Sequence, residues 1–370
     1  MKIAVSADCF ASFTSGFPVR GMMMELIKNN PNWQFQLYYT PRPWSENLID
    51  FYNEINSLPN VELRFFKDSR KKIALKRLLG LKYVAFDNDI DMFINPGCPE
   101  YIRGYKGISI CSLADLSTVK GISTNKYALF FKYWVKYQWN KTLPRITKIV
   151  SVSDFTRSDI AQFFPNVKDK VVTIHNGISN YWFDNENPSS SINIEDLGIN
   201  GDYFIWWGFI SERKNIHRLI EAYKKARDLR PGLPNLLLVG GISSNMEYIR
   251  KQFDTSVIHI GFQDNLTIKK LVRHSKGLVF PSLYEGFGLP VIEAFSQGVN
   301  VACSDVSSLP EVAGGHAILF DPQIEESITN GILDLDDKTS NPDVLVNYAR
   351  QYTYESAASQ YENLIKELVL

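Results

Sequence analysis

Short apolar runs recur along the chain and are separated by polar loops or by segments with helical spacing. The runs predicted to be strands in the first half are residues 2–6, 34–39, 62–66, 91–95, 107–111 and 148–152. Residues 171–178 are predicted to be a further strand that ends in an Asn-Gly turn. Those in the second half are residues 203–208, 235–239, 257–260 and 277–280. Runs that are apolar at nearly every position are typical of parallel strands covered on both faces. The alternation therefore predicts an α/β fold with parallel sheets.

The chain is 370 residues long, which exceeds what one hydrophobic core usually holds, so two domains are expected. Residues 184–193 are rich in Asn, Ser and Glu and contain one Pro, and they are the best candidate for a linker. We therefore predict a first domain of residues 1–183 and a second of residues 184–353, followed by a C-terminal helix at residues 354–370. A hinge at the linker would let two domains close over a substrate.

The segment 281–298 combines a glycine-containing loop with the start of a helix. The apolar run 277–280 precedes it, and helical spacing follows from Pro290, with Gly298 suited to the position after the helix. A loop that enters a helix presents backbone N–H groups where the helix dipole favours an anion. Because Gly286 and Gly288 have no Cβ, phosphate oxygens could approach the backbone closely.

Two carboxylates frame this loop. Glu285 precedes it, and Glu293 lies about one turn into the predicted helix. A carboxylate at that depth could accept hydrogen bonds from a ribose, as the acidic residue of dinucleotide-binding folds does. The alternative interpretation is a tight turn in an α/β domain with a surface Glu on its helix. We favour the first because the sequence 285–294, Glu-Gly-Phe-Gly-Leu-Pro-Val-Ile-Glu-Ala, is long and specific.

This stretch resembles the nucleotide-sugar signature of retaining glycosyltransferases of family 4, in which two Glu residues are separated by seven positions. The resemblance continues through residues 304–312 and 317–322, which are similar to segments of bacterial polysaccharide mannosyl- and rhamnosyltransferases. It covers most of residues 145–365 and is much fainter before them. It implies the GT-B fold, in which two Rossmann-like, doubly wound domains face a central cleft and a C-terminal helix crosses back to the first domain.

The resemblance also implies roles for individual residues. Arg213 and Lys214 would reach the diphosphate and stabilise charge as the leaving group departs. Glu285 would orient the sugar hydroxyls, and Glu293 would hold the ribose. The implied catalytic residues are thus Glu285, Arg213 and Lys214, and the implied donor-binding residues of this half are Gly286, Phe287, Gly288, Leu289 and Glu293.

The first half matches the family only in part. Relatives often carry a glycine pair after the first strand, and here only Gly16 and Gly21 are available, in a predicted loop of residues 7–21. The resemblance places Gly16 and Asp115 at the donor, but Ala114 stands where the family often has His. This departure removes a hydrogen-bond donor and bears on the sugar assignment, whereas the nucleotide site belongs to the second half.

The implied function is transfer of a sugar from a nucleotide diphosphate to an acceptor with retention of configuration. GDP-mannose is the leading donor, with dTDP-rhamnose or a UDP-sugar as alternatives. The acceptor would be a glycan or a polyprenyl-diphosphate-linked glycan. No metal and no cofactor are expected, since the nucleotide-sugar is a substrate. A nucleotide-sugar epimerase or phosphorylase and a non-catalytic nucleotide-sugar-binding subunit are the other interpretations.

Charge is distributed unequally along the chain. The formal net charge is zero, but residues 1–180 hold 24 Lys and Arg against 15 Asp and Glu. A basic first half suggests an anionic partner. Residues 69–77 are cationic and residues 126–141 mix aromatic side chains with lysines, so each could contact anionic lipid headgroups. Each could equally be a solvated face or a core helix with snorkelling lysines.

The cysteines, the first residues and the acidic stretches bear on the cellular compartment and on the presence of metal or disulfide sites. The four cysteines are scattered without a Cys-x-x-Cys pair, which favours a reducing compartment over a zinc site or a disulfide framework. The first residues read as a strand rather than a signal peptide, and no apolar run approaches the length of a membrane span. We expect a cytoplasmic protein, with peripheral membrane association as an open alternative, and no nucleic acid partner. The acidic stretches 334–337 and 87–89 are interpreted as surface charge rather than metal motifs.

Overall fold

The structure of the chain is a computed structural model. It describes residues 1–11, 16–40, 46–66, 89–97, 99, 100, 102, 104–122, 128–184 and 194–369, together with the single positions 68, 72, 73, 75, 76 and 86. Most of the cationic segment 69–77 and of the linker 184–193 therefore lies outside the described residues. The chain divides into two compact units.

The first unit contains a seven-stranded parallel sheet. Its strands are β1 (Lys2–Ser6), β2 (Gln34–Tyr39), β3 (Val61–Phe65), β4 (Met92–Asn95), β5 (Ile108–Leu113), β6 (Lys148–Ser151) and β7 (Val171–Thr173). They lie in the order β3-β2-β1-β4-β5-β6-β7. The helices of this unit, before the C-terminal one, are α1 (Gly16–Asn29), α2 (Glu46–Asn56), α3 (Ser117–Lys120), α4 (Ala128–Thr142) and α5 (Asp154–Phe163).

The second unit contains a six-stranded parallel sheet. Its strands are β8 (Tyr203–Trp207), β9 (Asn235–Val239), β10 (Val257–His259), β11 (Gly277–Phe280), β12 (Val301–Ser304) and β13 (Ile318–Phe320), in the order β10-β9-β8-β11-β12-β13. Its helices are α6 (Ile216–Leu229), α7 (Asn265–Arg273), α8 (Leu289–Ser296), α9 (Leu309–Ala313), α10 (Glu325–Asp337) and α11 (Pro342–Ala349). The large side chains of Trp206, Phe204, Tyr223, Phe280 and Phe295 are fully buried.

The last helix, α12 (Tyr354–Val369), belongs to the first unit. It packs against α1, and the Tyr361 hydroxyl is hydrogen-bonded to the Ser112 hydroxyl at the end of β5. Its buried residues join the cluster that contains Ile3, Val5 and Leu26. Apolar side chains at helical spacing thus bury this segment against the first sheet, although it follows the second unit in the chain.

The prediction of an α/β fold with parallel sheets is confirmed, and several predicted bounds are corrected. β5 continues through Leu113, two residues beyond the prediction, and β7 ends at Thr173, before the predicted Asn-Gly turn. Gly16, predicted in a loop, is the first residue of α1. Pro18 is compatible with that start, because a proline in the first turn gives up an N–H group that has no intrahelical partner.

The first unit consists of Met1–Lys120, Tyr127–Gly177 and Tyr354–Leu370. The second unit consists of Gly121–Lys126 and Ile178–Thr353. The segment after Gly177 is attached to the second unit by α7 and α8. The buried Lys269 ammonium donates to the carbonyls of Tyr181 and Asp184, and the Gln297 amide donates to the Trp182 carbonyl. The domain bounds of 1–183 and 184–353 stay predictions. None of the helices within the described ranges is both long and apolar enough to cross a bilayer.

Candidate functional site

The loop between β11 and α8 lies at the point where the second sheet reverses its winding. From β8 the chain proceeds outward through β9 to β10, and from β11 it proceeds through β12 to β13 on the other side. β8 and β11 are therefore adjacent strands with connections that run in opposite directions. In open α/β sheets, ligands bind outside the carboxyl ends of the strands at such a switch point. Both strands end at this edge, at Trp207 and Phe280.

Gly288 gives the loop a turn that a side chain would obstruct. Its φ is +111°, in the left-handed region, and it precedes the first residue of α8. A Cβ built there would lie 2.6 Å from Cδ2 of Leu309. The helix begins at Leu289, one residue before the predicted start, and Gly298 follows it with φ +70° as predicted for the position after the helix. In the first turn of α8, Pro290 has no N–H group, and the Val291 N–H donates to the Gly288 carbonyl at 3.0 Å.

The other loop residues are enclosed by the protein. Gly286, Phe287 and Gly288 are buried, and Leu289 is half-buried. The Phe287 ring packs edge-on against Tyr352, with ring centroids 5.8 Å apart. Phe287 is therefore placed to offer its backbone, rather than its ring, to a ligand.

The three predicted catalytic residues come together at this loop. Nη1 of Arg213 donates to Oε2 of Glu285 at 2.9 Å, and Nζ of Lys214 donates to Oε1 at 2.5 Å. Nη1 of Arg213 also donates to the Tyr284 carbonyl at 2.6 Å. The Glu285 side chain is only 10% exposed. Two cations thus share one nearly buried carboxylate, and the cluster carries an excess positive charge.

The charge state of Glu285 follows from this pairing. Burial alone would raise the pKa of the carboxyl, because it disfavours the charged form, but the adjacent charges of Lys214 and Arg213 bring the pKa below its usual value. The carboxylate therefore stays ionised, with each oxygen engaged by a cation. A carboxylate held in this way is suited to orienting groups around it and is a poor nucleophile.

Asn215 ties the two cations to the loop. Arg213 and Lys214 lie in a short 3₁₀ turn, and Asn215 follows it with φ +59°. The Asn215 side-chain amide donates to the carbonyls of Pro281, at 3.2 Å, and Pro322, at 2.8 Å. The backbone N–H of Leu283 donates to the Arg213 carbonyl at 2.9 Å. The turn after β8 and the loop after β11 are therefore held in register. Sequence reasoning did not identify Asn215, although an Asn before a helix is a known signal for a left-handed or capping position.

Two serines support the loop from the other side. The Glu285 N–H donates to Oγ of Ser307 at 3.0 Å, and the Ser308 hydroxyl donates to the Phe287 carbonyl at 2.7 Å. Ser308 is fully buried, and Ser307 has a positive φ of 57°. Both lie in the segment 304–312 that carried the resemblance, but their role as loop supports was not predicted.

Glu293 lies on α8 against the end of β8. Nε1 of Trp207 donates to Oε2 of Glu293 at 3.1 Å. Burial raises the pKa of Glu293 to about 7, and the bond from Trp207 opposes the shift. Tyr181 is nearby, since the Asp264 and Glu293 carboxylates add to the burial that raises the pKa of its hydroxyl to about 12. Glu293 is therefore about half protonated near pH 7 and has capacity for hydrogen bonds with a ligand.

The remaining predicted site residues lie in the first unit. Gly16 begins α1, and Oδ1 of Asp115 accepts from the Ser117 N–H at 2.8 Å and from the Ser117 hydroxyl at 2.5 Å. Asp115 thus supports the start of α3. In the second unit, Phe262 follows the edge strand β10 and is 75% exposed, so it is not a core residue.

A scan of protein families matches residues 191–352 to the family described as "Glycosyl transferases group 1". Among curated proteins, the chain is 30% identical over 242 residues to O-antigen chain mannosyltransferase B of Escherichia coli, covering 62% of this chain and 63% of that protein. It is 24% identical over 245 residues to O-antigen chain mannosyltransferase RfbU of Salmonella typhimurium, covering 64% of each. The match therefore spans less than two thirds of the length of these relatives.

Solved structures resemble the whole described fold. Sucrose-phosphate synthase from Thermosynechococcus elongatus has a TM-score of 0.70 at 16% identity, covering 100% of this chain and 99% of that one. The lipopolysaccharide outer core galactosyltransferase WaaB in its apo form has a TM-score of 0.67 at 15% identity, covering 99% of each. Anabaena HepE in complex with UDP and glucose has a TM-score of 0.68 at 14% identity, covering 99% and 100%. At these identities the likeness concerns the fold, and the predicted GT-B class is confirmed. The family resemblance is confirmed by the match of residues 191–352.

Proposed function

On the premise that residues 191–352 carry the match to the group 1 glycosyl transferases, we propose that this protein is a retaining, metal-independent glycosyltransferase. It transfers a hexose from a nucleotide diphosphate to a glycan or lipid-linked acceptor in the synthesis of a bacterial surface polysaccharide. The observation that carries the proposal is the meeting of Arg213, Lys214 and Glu285 at the loop that begins α8. A diphosphate placed there would meet two cations and the positive end of a helix.

In the proposed transfer, one bond to C1 of the sugar breaks and another forms. The bond between C1 of the sugar and the diphosphate oxygen breaks, and the acceptor oxygen bonds to C1 on the face that the diphosphate leaves. The acceptor hydroxyl proton passes to an oxygen of the departing diphosphate. Arg213, Lys214 and the loop N–H groups stabilise the charge that develops on the leaving group. Glu293 accepts hydrogen bonds from the ribose, and Gly286, Phe287, Gly288 and Leu289 surround the phosphates.

The ion pairing of Glu285 supports this route over double displacement. Double displacement needs a carboxylate that is free to attack C1. Both oxygens of Glu285 are engaged by Arg213 and Lys214, so attack would first have to break those bonds. As a held carboxylate, Glu285 instead keeps the two cations in place and accepts hydrogen bonds from sugar hydroxyls.

The donor we propose is GDP-mannose, because several similar curated proteins are named mannosyltransferases of O-antigen synthesis. The alternatives are dTDP-rhamnose and a UDP-sugar, and a structurally similar protein, Anabaena HepE, is described in complex with UDP. In the first unit, Gly16 and Asp115 would contact the donor sugar, and the basic first half would take a polyprenyl-diphosphate-linked acceptor. We propose a cytoplasmic location that includes association with the inner face of the membrane.

Nucleotide-dependent stabilisation tests this proposal. The unfolding temperature of the full chain is measured with GDP, UDP and dTDP, each with magnesium and with a chelator. Stabilisation by one nucleotide at about 100 times its dissociation constant should reach about 3 kcal/mol, be indifferent to the metal, and be lost in Glu293→Ala. Transfer is then followed with the matching nucleotide-sugar and an extracted lipid-linked acceptor, and the anomeric configuration of the product is read by NMR. Stabilisation by none of the three would contradict the proposal.

Ala114 favours a second candidate, a non-catalytic nucleotide-sugar-binding subunit. This residue occupies the position where the family often has His, so a donor to the transferred sugar is missing there. Tight nucleotide binding without turnover, for every sugar and acceptor supplied, would favour the binding subunit over the transferase. An epimerase on the same fold would instead convert the nucleotide-sugar without any acceptor.

A further inference from the structure

A cavity of about 420 Å³ lies in the first unit, at the edge of the sheet where β5 and β6 begin. Gly107 directly precedes β5 and Thr147 directly precedes β6, and both residues line the cavity. Ligands of open α/β sheets usually bind at the opposite edge, beyond the carboxyl ends of the strands. Asp115 follows that far end of β5, roughly 20 Å from the start of the strand. The cavity is therefore separate from the donor contact proposed for this unit.

The floor of the cavity is a row of side chains across three adjacent strands. Phe93 of β4 is paired with Ser109 of β5, and the N–H of Thr147, next to β6, donates to the Ser109 carbonyl at 3.0 Å. Residues that lie side by side in a parallel sheet present their side chains on the same face. Phe93, Ser109 and Thr147 all line the cavity. The sheet thus supplies one aromatic ring and two hydroxyl groups side by side.

The two hydroxyl groups of this row are oriented as donors. Oγ1 of Thr147 accepts from the Ser109 N–H at 3.0 Å, and Oγ of Ser109 accepts from the Thr147 N–H at 3.3 Å. Because each oxygen already accepts a backbone hydrogen, its own hydroxyl hydrogen is left to donate. None of the residues that the structure describes accepts either hydrogen. A ligand in the cavity would therefore meet two donors that the strand pairing holds in place.

Positive charge lies at the mouth of the cavity. Lys106 and Arg145 both line the cavity and are exposed. Within the described ranges, the Lys106 ammonium makes no ion pair and no hydrogen bond. Ammonium and guanidinium groups form strong charge-assisted hydrogen bonds with phosphate. The cations and the two hydroxyl donors together favour a phosphate group at this end of the cavity.

The buried wall of the cavity is suited to a hydroxylated ring. Glu100 lines the cavity, is only 7% exposed, and accepts a hydrogen bond from the side-chain amide of Asn95. A carboxyl group has two acceptor oxygens, so Glu100 can also accept hydrogen bonds from ligand hydroxyls. The Tyr105 ring packs edge-on against the Phe93 ring, with centroids 6.4 Å apart, and adds apolar surface. Gly107 leaves room for this ring, because a Cβ at that position would lie 2.3 Å from the Tyr105 hydroxyl.

We propose that this cavity binds a small phosphate monoester of a hydroxylated ring, of the size of a hexose phosphate. The phosphate lies between Lys106 and Arg145 and accepts from the two strand hydroxyls, while ring hydroxyls donate to Glu100. The volume is within the range of small-molecule pockets, about 300–1,000 Å³. The inference does not depend on the proposed transferase activity, because every residue that lines the cavity belongs to the first unit and the nucleotide loop belongs to the second.

Calorimetric titration of the full chain with glucose 6-phosphate, glucose and inorganic phosphate tests the proposal. We expect saturable binding of glucose 6-phosphate that is about tenfold or more tighter than the binding of glucose or of phosphate, because each of these makes only part of the contacts. This binding should weaken as salt is raised. The presence of GDP, UDP or dTDP should leave it unchanged.

Two variants locate the site. Lys106→Gln removes one charge from the mouth of the cavity. Ser109→Ala removes one hydroxyl donor, while the Thr147 N–H keeps its bond to the backbone carbonyl of residue 109. Each change should weaken the binding of glucose 6-phosphate by about tenfold. Lys168→Gln removes an exposed lysine of the same unit, from the 3₁₀ helix Pro165–Lys170, and should leave the affinity unchanged. The unfolding temperature of each variant confirms that it is folded.

Several results would overturn the proposal. If glucose 6-phosphate does not bind, or binds equally to the wild type and to both variants, the cavity is not its site. Equal affinities for glucose 6-phosphate and inorganic phosphate would remove the role of the ring, and equal affinities for glucose 6-phosphate and glucose would remove that of the phosphate. Displacement by a nucleotide would place the ligand at the loop before α8. Binding of glucose 6-phosphate that is lost in both variants, without binding of any nucleotide, would support the cavity and contradict only the proposed transferase activity.

Discussion

Nε1 of Trp207 donates a hydrogen bond of 3.1 Å to Oε2 of Glu293, which joins the last residue of β8 to the first turns of α8. This bond satisfies a buried indole N–H and fixes the carboxyl group beside the loop that begins α8. Burial nevertheless dominates and raises the pKa of Glu293 to about 7. The site thus contains one carboxyl group, Glu285, that stays ionised and another, Glu293, that is about half protonated near pH 7.

The raised pKa of Glu293 predicts a pH dependence of stability. Between about pH 4, where the carboxyl ionises in the unfolded chain, and about pH 7, the folded protein holds a proton that the unfolded chain does not. The contribution of Glu293 to the free energy of unfolding therefore falls as pH rises through this window, by roughly 1–3 kcal/mol. Glu293→Gln should remove this decrease. In urea unfolding without nucleotide, the free energy of unfolding of the variant should therefore rise relative to that of the wild type between pH 5 and pH 8. Glu326→Gln, at an exposed position, should show no such rise relative to the wild type. An identical rise in both variants would contradict the prediction.

Removal of the shared carboxylate should separate nucleotide binding from turnover. Glu285→Gln keeps the shape of the side chain but frees Arg213 and Lys214 from their counter-ion, and it removes a negative charge beside the diphosphate. We expect nucleotide affinity to stay the same or increase, and the rate of transfer to fall by about 100-fold or more. Calorimetric titration and steady-state kinetics measure the two quantities. Glu212→Gln, at an exposed position in the 3₁₀ turn that contains Arg213 and Lys214, should change neither the nucleotide affinity nor the rate of transfer. Weaker nucleotide binding at an unchanged rate of transfer in Glu285→Gln would argue against the proposed role of Glu285.

Loss of either cation should weaken nucleotide binding. Lys214→Ala and Arg213→Ala each remove a charge that we propose to contact the diphosphate, so the dissociation constant should rise about 10- to 100-fold. Lys225→Ala removes an exposed lysine, 48% accessible, from α6 of the same unit and serves as the control. Affinity for the nucleoside without phosphates should be the same in all of these proteins. A loss of nucleoside affinity equal to the loss of nucleotide affinity would indicate damage to the fold instead.

Gly288 should tolerate no side chain. In Gly288→Ala the backbone strain of φ +111° adds to a clash of the Cβ with Leu309 at 2.6 Å. Gly232→Ala supplies a comparison, because its φ is +93° and a Cβ there meets nothing within 4 Å. The comparison variant should lose only about 1 kcal/mol, whereas Gly288→Ala should lose more in urea unfolding and should also lose nucleotide binding. Equal losses of stability with normal nucleotide binding in both variants would show that the turn at Gly288 is not required.

Asn215 should contribute through its side chain as well as its backbone. Asn215→Gly keeps the left-handed conformation accessible but removes the two hydrogen bonds to the carbonyls of Pro281 and Pro322. Because the amide is buried, the cost in unfolding free energy should be about 1–3 kcal/mol. Asn215→Ala adds backbone strain to the same loss and should be less stable still. If Asn215→Gly is as stable as the wild type, the amide does not hold the turn after β8 to the loop after β11.

Local signals predicted much of the second unit. The strand at residues 277–280 was predicted with the bounds that the structure has, and the helix predicted from Pro290 begins one residue earlier. A buried strand, a proline in a first turn and a glycine after a last turn depend on interactions among residues a few positions apart. The same signals failed at Gly16, because the loop predicted at residues 7–21 contains the start of α1, a helix that packs against α12.

The supports of the loop could not be read from sequence. Asn215 bonds to Pro281 across 66 positions of the chain, and Trp207 bonds to Glu293 across 86. Ser307 and Ser308 contact the loop from the next connection along the sheet. Serine and asparagine are ordinary loop residues, so nothing in their local sequence distinguishes a buried hydrogen-bond partner from a solvated one.

The sequence by itself determined strands β1 to β11, the glycine loop, and the identity of the two glutamates and two cations, because these depend on side-chain chemistry and on short-range periodicity. It did not identify β12 and β13 as strands. The tertiary structure decided that Arg213 and Lys214 share Glu285, and that Glu293 has its pKa raised to about 7 while the pKa of Glu285 is lowered. Residues with the same side chain differ here because burial disfavours the charged form and a neighbouring cation favours it. Both effects arise only when distant strands bring their ends to one edge of the sheet.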